Sequence, residues 1–284
     1  MKHYFSLIKV FNIFLSIPFG ILGFLTSIYI YNYEFNIINL LLSLVCIITA
    51  RNAAIAFNRL IDLDIDKKNI RTINRVLSNN LIYKHQIIMF IVYNLLIFFL
   101  SSYFINKLCF YLSPIAAIII MSYSYSKRYT YLCHFYLGIS LSIVPIGAFI
   151  ASSNNIFALL PYLLSFSVFL WITGFDIIYA TQDIDFDRKE NIYSIPSKIG
   201  FKKSLLLSYM LYMISVLVKY IIGYIYNFHY YYFIGLILYF IIMHIEIYIS
   251  IYKKNYIPYI SYIHCISGLI YFLFTTTDFL LLHK

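Results

Sequence analysis

The chain has 284 residues, of which 62% are hydrophobic and only 11% charged, whereas a soluble domain carries about 25% charged residues. Such a composition needs lipid around it, and its apolar runs are continuous rather than alternating, which excludes a membrane β-barrel. The formal net charge of +10 is explained by loops that orient a membrane protein and by an anionic substrate, so nucleic acid is not required as a partner.

Apolar runs between polar punctuation predict nine helices in an all-α, polytopic membrane bundle. No length is left for a separate soluble domain, so residues 1–284 read as one integral-membrane domain. The first helix, over 10–31, lacks a small-residue cleavage site and is expected to be retained rather than removed as a signal. The second, over 36–59, carries Arg51 about two turns inside it, where a charge costs a few kcal/mol unless it faces a cavity or a partner.

Beyond that helix stands Asn58-Arg59-Leu60-Ile61-Asp62-Leu63-Asp64-Ile65-Asp66. If the helix continues, Asn58, Asp62 and Asp66 share one face, whereas Asp64 points elsewhere and is solvated. Close oxygen donors repel one another as carboxylates unless a divalent cation sits among them, and all-oxygen ligation suits Mg²⁺. Basic donors follow in Asn69-Ile70-Arg71-Thr72-Ile73-Asn74-Arg75.

The third and fourth helices, over 86–106 and 108–125, are split only by Asn106 and Lys107, and the fourth ends at Lys127-Arg128. After helices over 132–151 and 157–180, the acidic device returns in Asp176-Ile177-Ile178-Tyr179-Ala180-Thr181-Gln182-Asp183-Ile184-Asp185-Phe186-Asp187. Asp183 and Asp187 are four apart, Asp176 and Tyr179 lie one or two turns earlier, and Asp185 falls off the face. Mg²⁺ prefers a few carboxylates together with waters and substrate phosphates, so two aspartate faces across a cavity fit a metal-bridged diphosphate. A diphosphate also needs positioned cationic donors, and Arg71, Arg75, Lys127, Arg128 and Lys198 stand close by in sequence.

Helices over 204–225, 229–251 and 257–282 complete the set. With the N-terminus inside, alternation places 17 of the 21 basic residues on the cytoplasmic face, leaving Arg51, Lys107, Lys219 and Lys284. Lys67, Lys68, Lys202, Lys203, Lys253 and Lys254 are expected only to orient the chain. Cys46, Cys109, Cys133 and Cys265 form no paired motif and read as small hydrophobes. His134 and His264 read as packing or hydrogen-bonding residues, and Glu246 is expected to bond to Lys219 or to a tyrosine.

These blocks together resemble the UbiA-type aromatic prenyltransferases, nine-helix membrane proteins with two aspartate-rich cytoplasmic motifs. Asn58 to Asp66 is similar to the family's first motif. Asn69, Arg71, Thr72, Arg75 and Leu77 resemble the segment after it, with Ile70 and Val76 in place of two prolines. Tyr125-Ser126-Lys127-Arg128-Tyr129-Thr130, with His134 and Gly138, resembles its basic turn. Gly174 to Asp183, with Asp187, Ser194, Ile195, Pro196 and Gly200, resembles its second motif. Arg59 after Asn58 looks more like the branch that acts on 4-hydroxybenzoate, although some menaquinone-route relatives share the pair.

The resemblance implies Mg²⁺ held by Asn58, Asp62, Asp66, Asp183 and Asp187, and catalytic roles for the four aspartates and Tyr179. Substrate would be bound by Asn58, Arg59, Arg71, Arg75, Lys127, Arg128, Lys198, Asp176 and Arg51, the last a candidate for the acceptor's carboxylate. It implies transfer of a polyprenyl chain from its diphosphate to the ring of 4-hydroxybenzoate, ortho to the hydroxyl, in quinone biosynthesis. The partners are then polyprenyl diphosphate, a small aromatic acid and membrane lipid, at the cytoplasmic (inner) membrane, with no obligate protein partner. Tyr179 or Tyr125 could steady the allylic cation by cation–π attraction, and Tyr179 reads equally well as a core aromatic. The alternatives are prenylation of 1,4-dihydroxy-2-naphthoate or a related acceptor in menaquinone biosynthesis, another family enzyme acting on haem or glyceryl phosphate, and a cation-coupled transporter, whose acids would be spread through the bundle.

Overall fold

The computed structural model describes Leu7 and residues 15–79, 81–253 and 259–282, and among these residues the regular structure is entirely helical. In chain order the helices are α1 (Ile17–Tyr29), α2 (Ile37–Ile61), α3 (Leu63–Asp66), α4 (Lys84–Ile105), α5 (Lys107–Ser126), α6 (Cys133–Ser153), α7 (Leu159–Ala180), α8 (Ile184–Lys189), α9 (Ile195–Ile199), α10 (Phe201–Ile225), α11 (Tyr230–Tyr252) and α12 (Ile260–Leu282). Eight are long and apolar enough to cross a membrane, with α7 continuing into α8 as one span, and α1 is a shorter apolar helix. Each of the nine sequence windows thus contains a helix, and the fold is a polytopic membrane bundle. Residues 10–14 of the first window and 257–258 of the last lie outside the described residues, as do Lys2, Lys9, Lys254 and Lys284.

Local chemistry sets the boundaries. Asn36 starts α2, its side chain accepting the backbone N–H of Ile38 and Asn39, which satisfies donors that the first turn leaves unpaired. Asn106 separates α4 from α5 by adopting an extended backbone and capping Cys109, so this one residue divides two spans. Asn154 at φ 52° ends α6, and Gly200 at φ 79° turns the chain from α9 into α10.

One expectation needs correcting. Helix does not run unbroken through Asp66: α2 stops at Ile61, Asp62 turns at φ −86°, ψ 2°, and α3 follows. The Asp62 N–H still bonds Asn58 O at 2.9 Å and the Asp66 N–H bonds Asp62 O at 2.8 Å, so the four-residue spacing survives the break. The second motif passes likewise through a 3-10 turn, Thr181–Asp183.

Helix α7 is the centre of the bundle. It packs between α6 and α10, and its Trp171 is fully buried in a core with Phe19, Tyr212, Tyr239 and Tyr271. A second core joins α2 and α4 through Ala53, Ala56, Ile87 and Ile91. Outward faces of α4 and α5 carry exposed apolar groups such as Met89, Tyr93, Leu100 and Ile118, a surface suited to lipid. A fully buried polar cluster lies in the C-terminal half: Glu246 accepts from Tyr212 at 2.7 Å and lies 3.1 Å from His264, while Lys219 donates to Ser215 and Tyr239. Glu246 therefore meets a tyrosine, and Lys219 takes other partners.

Helix α1 approaches the backbone of α6 closely, and a Cβ on Gly23 would lie 2.2 Å from Pro145 O. Gly23→Ala is expected to lower stability by about 1–3 kcal/mol through overpacking. Gly147→Ala, which would meet nothing within 4 Å, should be near neutral. Thermal unfolding of both variants in detergent checks this.

Candidate active site

Successive helices alternate in direction, so the segments after α2, α5 and α7 gather at one end of the bundle. The Tyr193 N–H donates to Lys127 O at 2.9 Å, and Lys68 pairs with Glu190 at 2.6 Å. A cavity of about 400 Å³ begins at this end and runs inward between α1, α2, α5, α6 and α7. Its polar mouth holds both aspartate motifs. Its far wall includes Ile47 and Val144, which close over Gly20, where a Cβ would meet Ile47 Cδ1 at 2.3 Å.

Each motif aspartate has a specific partner. Lys127 Nζ lies 2.6 Å from Asp62 Oδ2, and Asn58 Nδ2 donates to the same oxygen at 2.9 Å. Arg75 Nη1 sits 2.7 Å from both oxygens of Asp66, with Arg59 at 3.9 Å. Arg71 grips Asp183 with two nitrogens, Nε donating to Oδ1 at 3.0 Å and Nη2 to Oδ2, and Asn69 adds a bond to Oδ1 at 3.0 Å. Ser194 Oγ donates to Asp187 Oδ2 at 2.7 Å. The segment after the first motif thus reaches across the cavity to the second.

Electrostatics follow from this pairing. Asp62 is 2% exposed, and burial pushes its carboxyl above the ordinary carboxylate range while the neighbouring Lys127 pulls the other way. Burial acts to lower Arg71, but the Asp183 carboxylate it holds outweighs this and raises it.

Among the described residues, no three His, Cys, Asp or Glu side chains group to hold a metal ion unaided; Asp62, Asp66 and Asp183 pair with Lys or Arg instead. The donor set nonetheless fits Mg²⁺. Asp62 Oδ1 is buried with no hydrogen-bond partner in a wall of the cavity, and Mg²⁺ takes one or two carboxylates, leaving its other positions to water and phosphate.

The cavity wall also contains Asn58, Arg59, Arg71, Arg75, Lys127, Asp176, Tyr179 and Arg51. Two residues expected there on sequence proximity are elsewhere. Arg128 donates to Ile61 O, the C-terminal carbonyl end of α2, and Lys198 lies over the Tyr131 ring, 4.7 Å from its centroid. Tyr125 packs edge-on against Phe57 away from the cavity. Tyr179 is in the wall, but Arg71 stands 5.5 Å over its ring, so one face already carries a cation. Asp64 and Asp185 are exposed.

Three wall residues were not anticipated. Ser16 accepts from Arg51 Nη1 at 2.7 Å; it directly precedes α1, and no local pattern links it to Arg51. Tyr123, four residues before Lys127 on α5, was legible from helical spacing. His134, read as a packing or hydrogen-bonding residue, does hydrogen-bond, lying 2.6 Å from Asp176, but it does so in the wall.

The description "UbiA prenyltransferase family" matches residues 14–258. The chain belongs to this family. A 4-hydroxybenzoate octaprenyltransferase of Vesicomyosocius okutanii is 30% identical over 168 residues, 59% of this chain and 58% of that one; the match thus spans under two thirds of the relative's length. A UbiA homologue from Aeropyrum pernix K1, solved without ligand, superposes with a TM-score of 0.86 at 27% identity, over 94% of this chain and 98% of that one. A UbiA homologue from Archaeoglobus fulgidus bound to GPP and Mg²⁺ shares the fold at 18% identity, TM-score 0.66, over 98% of each chain.

Arg75→Ala removes the close cation from buried Asp66 and is expected to cost about 1–3 kcal/mol of stability. Adding Asp66→Asn should recover part of that loss, read as a midpoint shift in detergent.

Proposed function

We propose that the chain transfers a polyprenyl group from its diphosphate to the ring of 4-hydroxybenzoate, ortho to the hydroxyl, as a Mg²⁺-dependent membrane enzyme of quinone biosynthesis. The carrying observation is that one cavity holds paired acids and cations at its polar end and Arg51 in its apolar interior. Arg51 is eleven residues from Asp62, roughly 16 Å along the helix. Likeness to a 4-hydroxybenzoate octaprenyltransferase, and a shared fold with a homologue that binds GPP and Mg²⁺, support the reading.

Asp62, Asp66, Asp183 and Asp187, with Asn58, are the residues to hold Mg²⁺, which when bound neutralises diphosphate charge as the allylic C–O bond breaks. Arg71 and Lys127, each now on a single aspartate, can turn to phosphate oxygens, with Arg59 and Arg75 adding positive field. Apolar walls exclude water that would otherwise quench the allylic cation. Arg51 orients the acceptor: its Nη1 is fixed by Ser16, and its Nε is buried and unpartnered, ready for a carboxylate. Asp176 then accepts the ring proton. The lysine- and arginine-rich end faces the cytoplasm by the positive-inside bias.

Membranes carrying the protein, given labelled polyprenyl diphosphate and a panel of acceptors, should prenylate 4-hydroxybenzoate and stop on chelation of Mg²⁺. Asp62→Ala and Asp183→Ala should each lose at least ~100-fold in rate. Arg51→Gln should raise KM for the acid about 10- to 100-fold, the worth of a charge-assisted bond, and leave KM for the diphosphate unchanged. Preference for dihydroxynaphthoate would overturn the acceptor assignment, and metal-independent cation flux without transfer would favour the transporter.

A further inference from the structure

The His134–Asp176 pair is unused by the metal and phosphate chemistry above. His134 is the second residue of α6, and its side chain is 4% exposed, whereas the Asp176 side chain from α7 is 26% exposed and lines the cavity. Nδ1 of the imidazole lies 2.6 Å from Asp176 Oδ2. On the far side of the ring, the backbone N–H of Ile195 donates to Nε2 at 3.4 Å.

That second bond decides the proton's place. A peptide N–H cannot accept, so the nitrogen it faces must present its lone pair, and the ring proton of a neutral imidazole must then sit on Nδ1. The Ile195 amide is itself held by neighbours: the Tyr193 N–H bonds Lys127 O, and Cys133 Sγ donates to Tyr193 O at 3.4 Å. The segment 193–195 therefore lies along the start of α6 and fixes the tautomer from behind.

We propose that His134 is a positioning residue for ring deprotonation, held as the neutral Nδ1–H tautomer by Ile195 so that it donates to Asp176 and keeps that carboxylate aimed into the cavity. The proposal rests on the transferase reading above. Once the ring carbon has bonded to the prenyl carbon, and diphosphate has left with the electrons of the broken C–O bond, that ring carbon still carries its hydrogen. Asp176 takes the proton through its other oxygen and becomes a carboxylic acid, the C–H electron pair returns to the ring, and aromaticity is restored. The imidazole gives up nothing. A neutral donor steadies the carboxylate without neutralising it as a fixed cation would. The arrangement also removes a hazard, because an exposed imidazole lone pair beside an allylic cation would be alkylated, and here the only lone pair is covered by Ile195.

The tests are kinetic and spectroscopic. His134→Leu should lower kcat about 10- to 100-fold with KM for both substrates little changed, and His134→Gln, which retains an N–H donor, should recover most of it. In an Asp176→Asn background, His134→Leu should cause no further loss. An effect that appears mainly in KM, or that adds fully to Asp176→Asn, would overturn the proposal and leave His134 as packing. Independently of turnover, ¹⁵N NMR of the imidazoles in detergent, assigned by the missing signal of His134→Gln, should show the neutral Nδ1–H form, and an Nε2–H form would equally overturn it. If the wild-type protein transfers to no acceptor, the transferase reading itself fails, whatever tautomer the NMR finds.

Discussion

Carboxylates at the rim of an apolar bundle must be compensated, and the way this chain does so organises everything around them. A buried acid without a partner either costs stability or takes up a proton. Here the partners come from other segments of the chain. Lys127 from the end of α5 serves Asp62, and Arg71 from the segment after α3 crosses to Asp183. The ionic contacts therefore act as ties between loops that hydrophobic packing in the membrane interior does not reach.

This explains how the two motifs can be separated by more than a hundred residues and still line one cavity. Alternation of long helices brings the ends together, and the short α3, α8 and α9 present the side chains. The break at Asp62 keeps the spacing of four, because the backbone bonds from Asp62 to Asn58 and from Asp66 to Asp62 persist.

Much of this could be read from residues alone, for physical reasons. Spans of about 20 apolar residues can only be helices in lipid, and the polar pair Asn106-Lys107 marks the split between two of them. The acid clusters stood out because eight of the eleven acids fall in two places. What was not legible depended on contacts between segments distant in sequence. Arg128 and Lys198 sit beside the motifs in sequence, yet one caps a helix and the other covers Tyr131; nearness along the chain says little about the direction of a long side chain. His134 is 42 residues from Asp176, and Ser16 is 35 from Arg51, so no local period could join either pair.

The packing of Ile47 and Val144 on Gly20 in the cavity's inner wall has a consequence for selectivity. A space of about 400 Å³ is of the size that encloses one small molecule, and on the transferase reading an aromatic head and a diphosphate would have to share it. On that reading a long isoprenoid would trail out among the acyl chains, where one more unit changes little in energy. Such a protein would be strict about heads and indifferent to tails, and the length of its products would be set by whichever diphosphate the cell supplies.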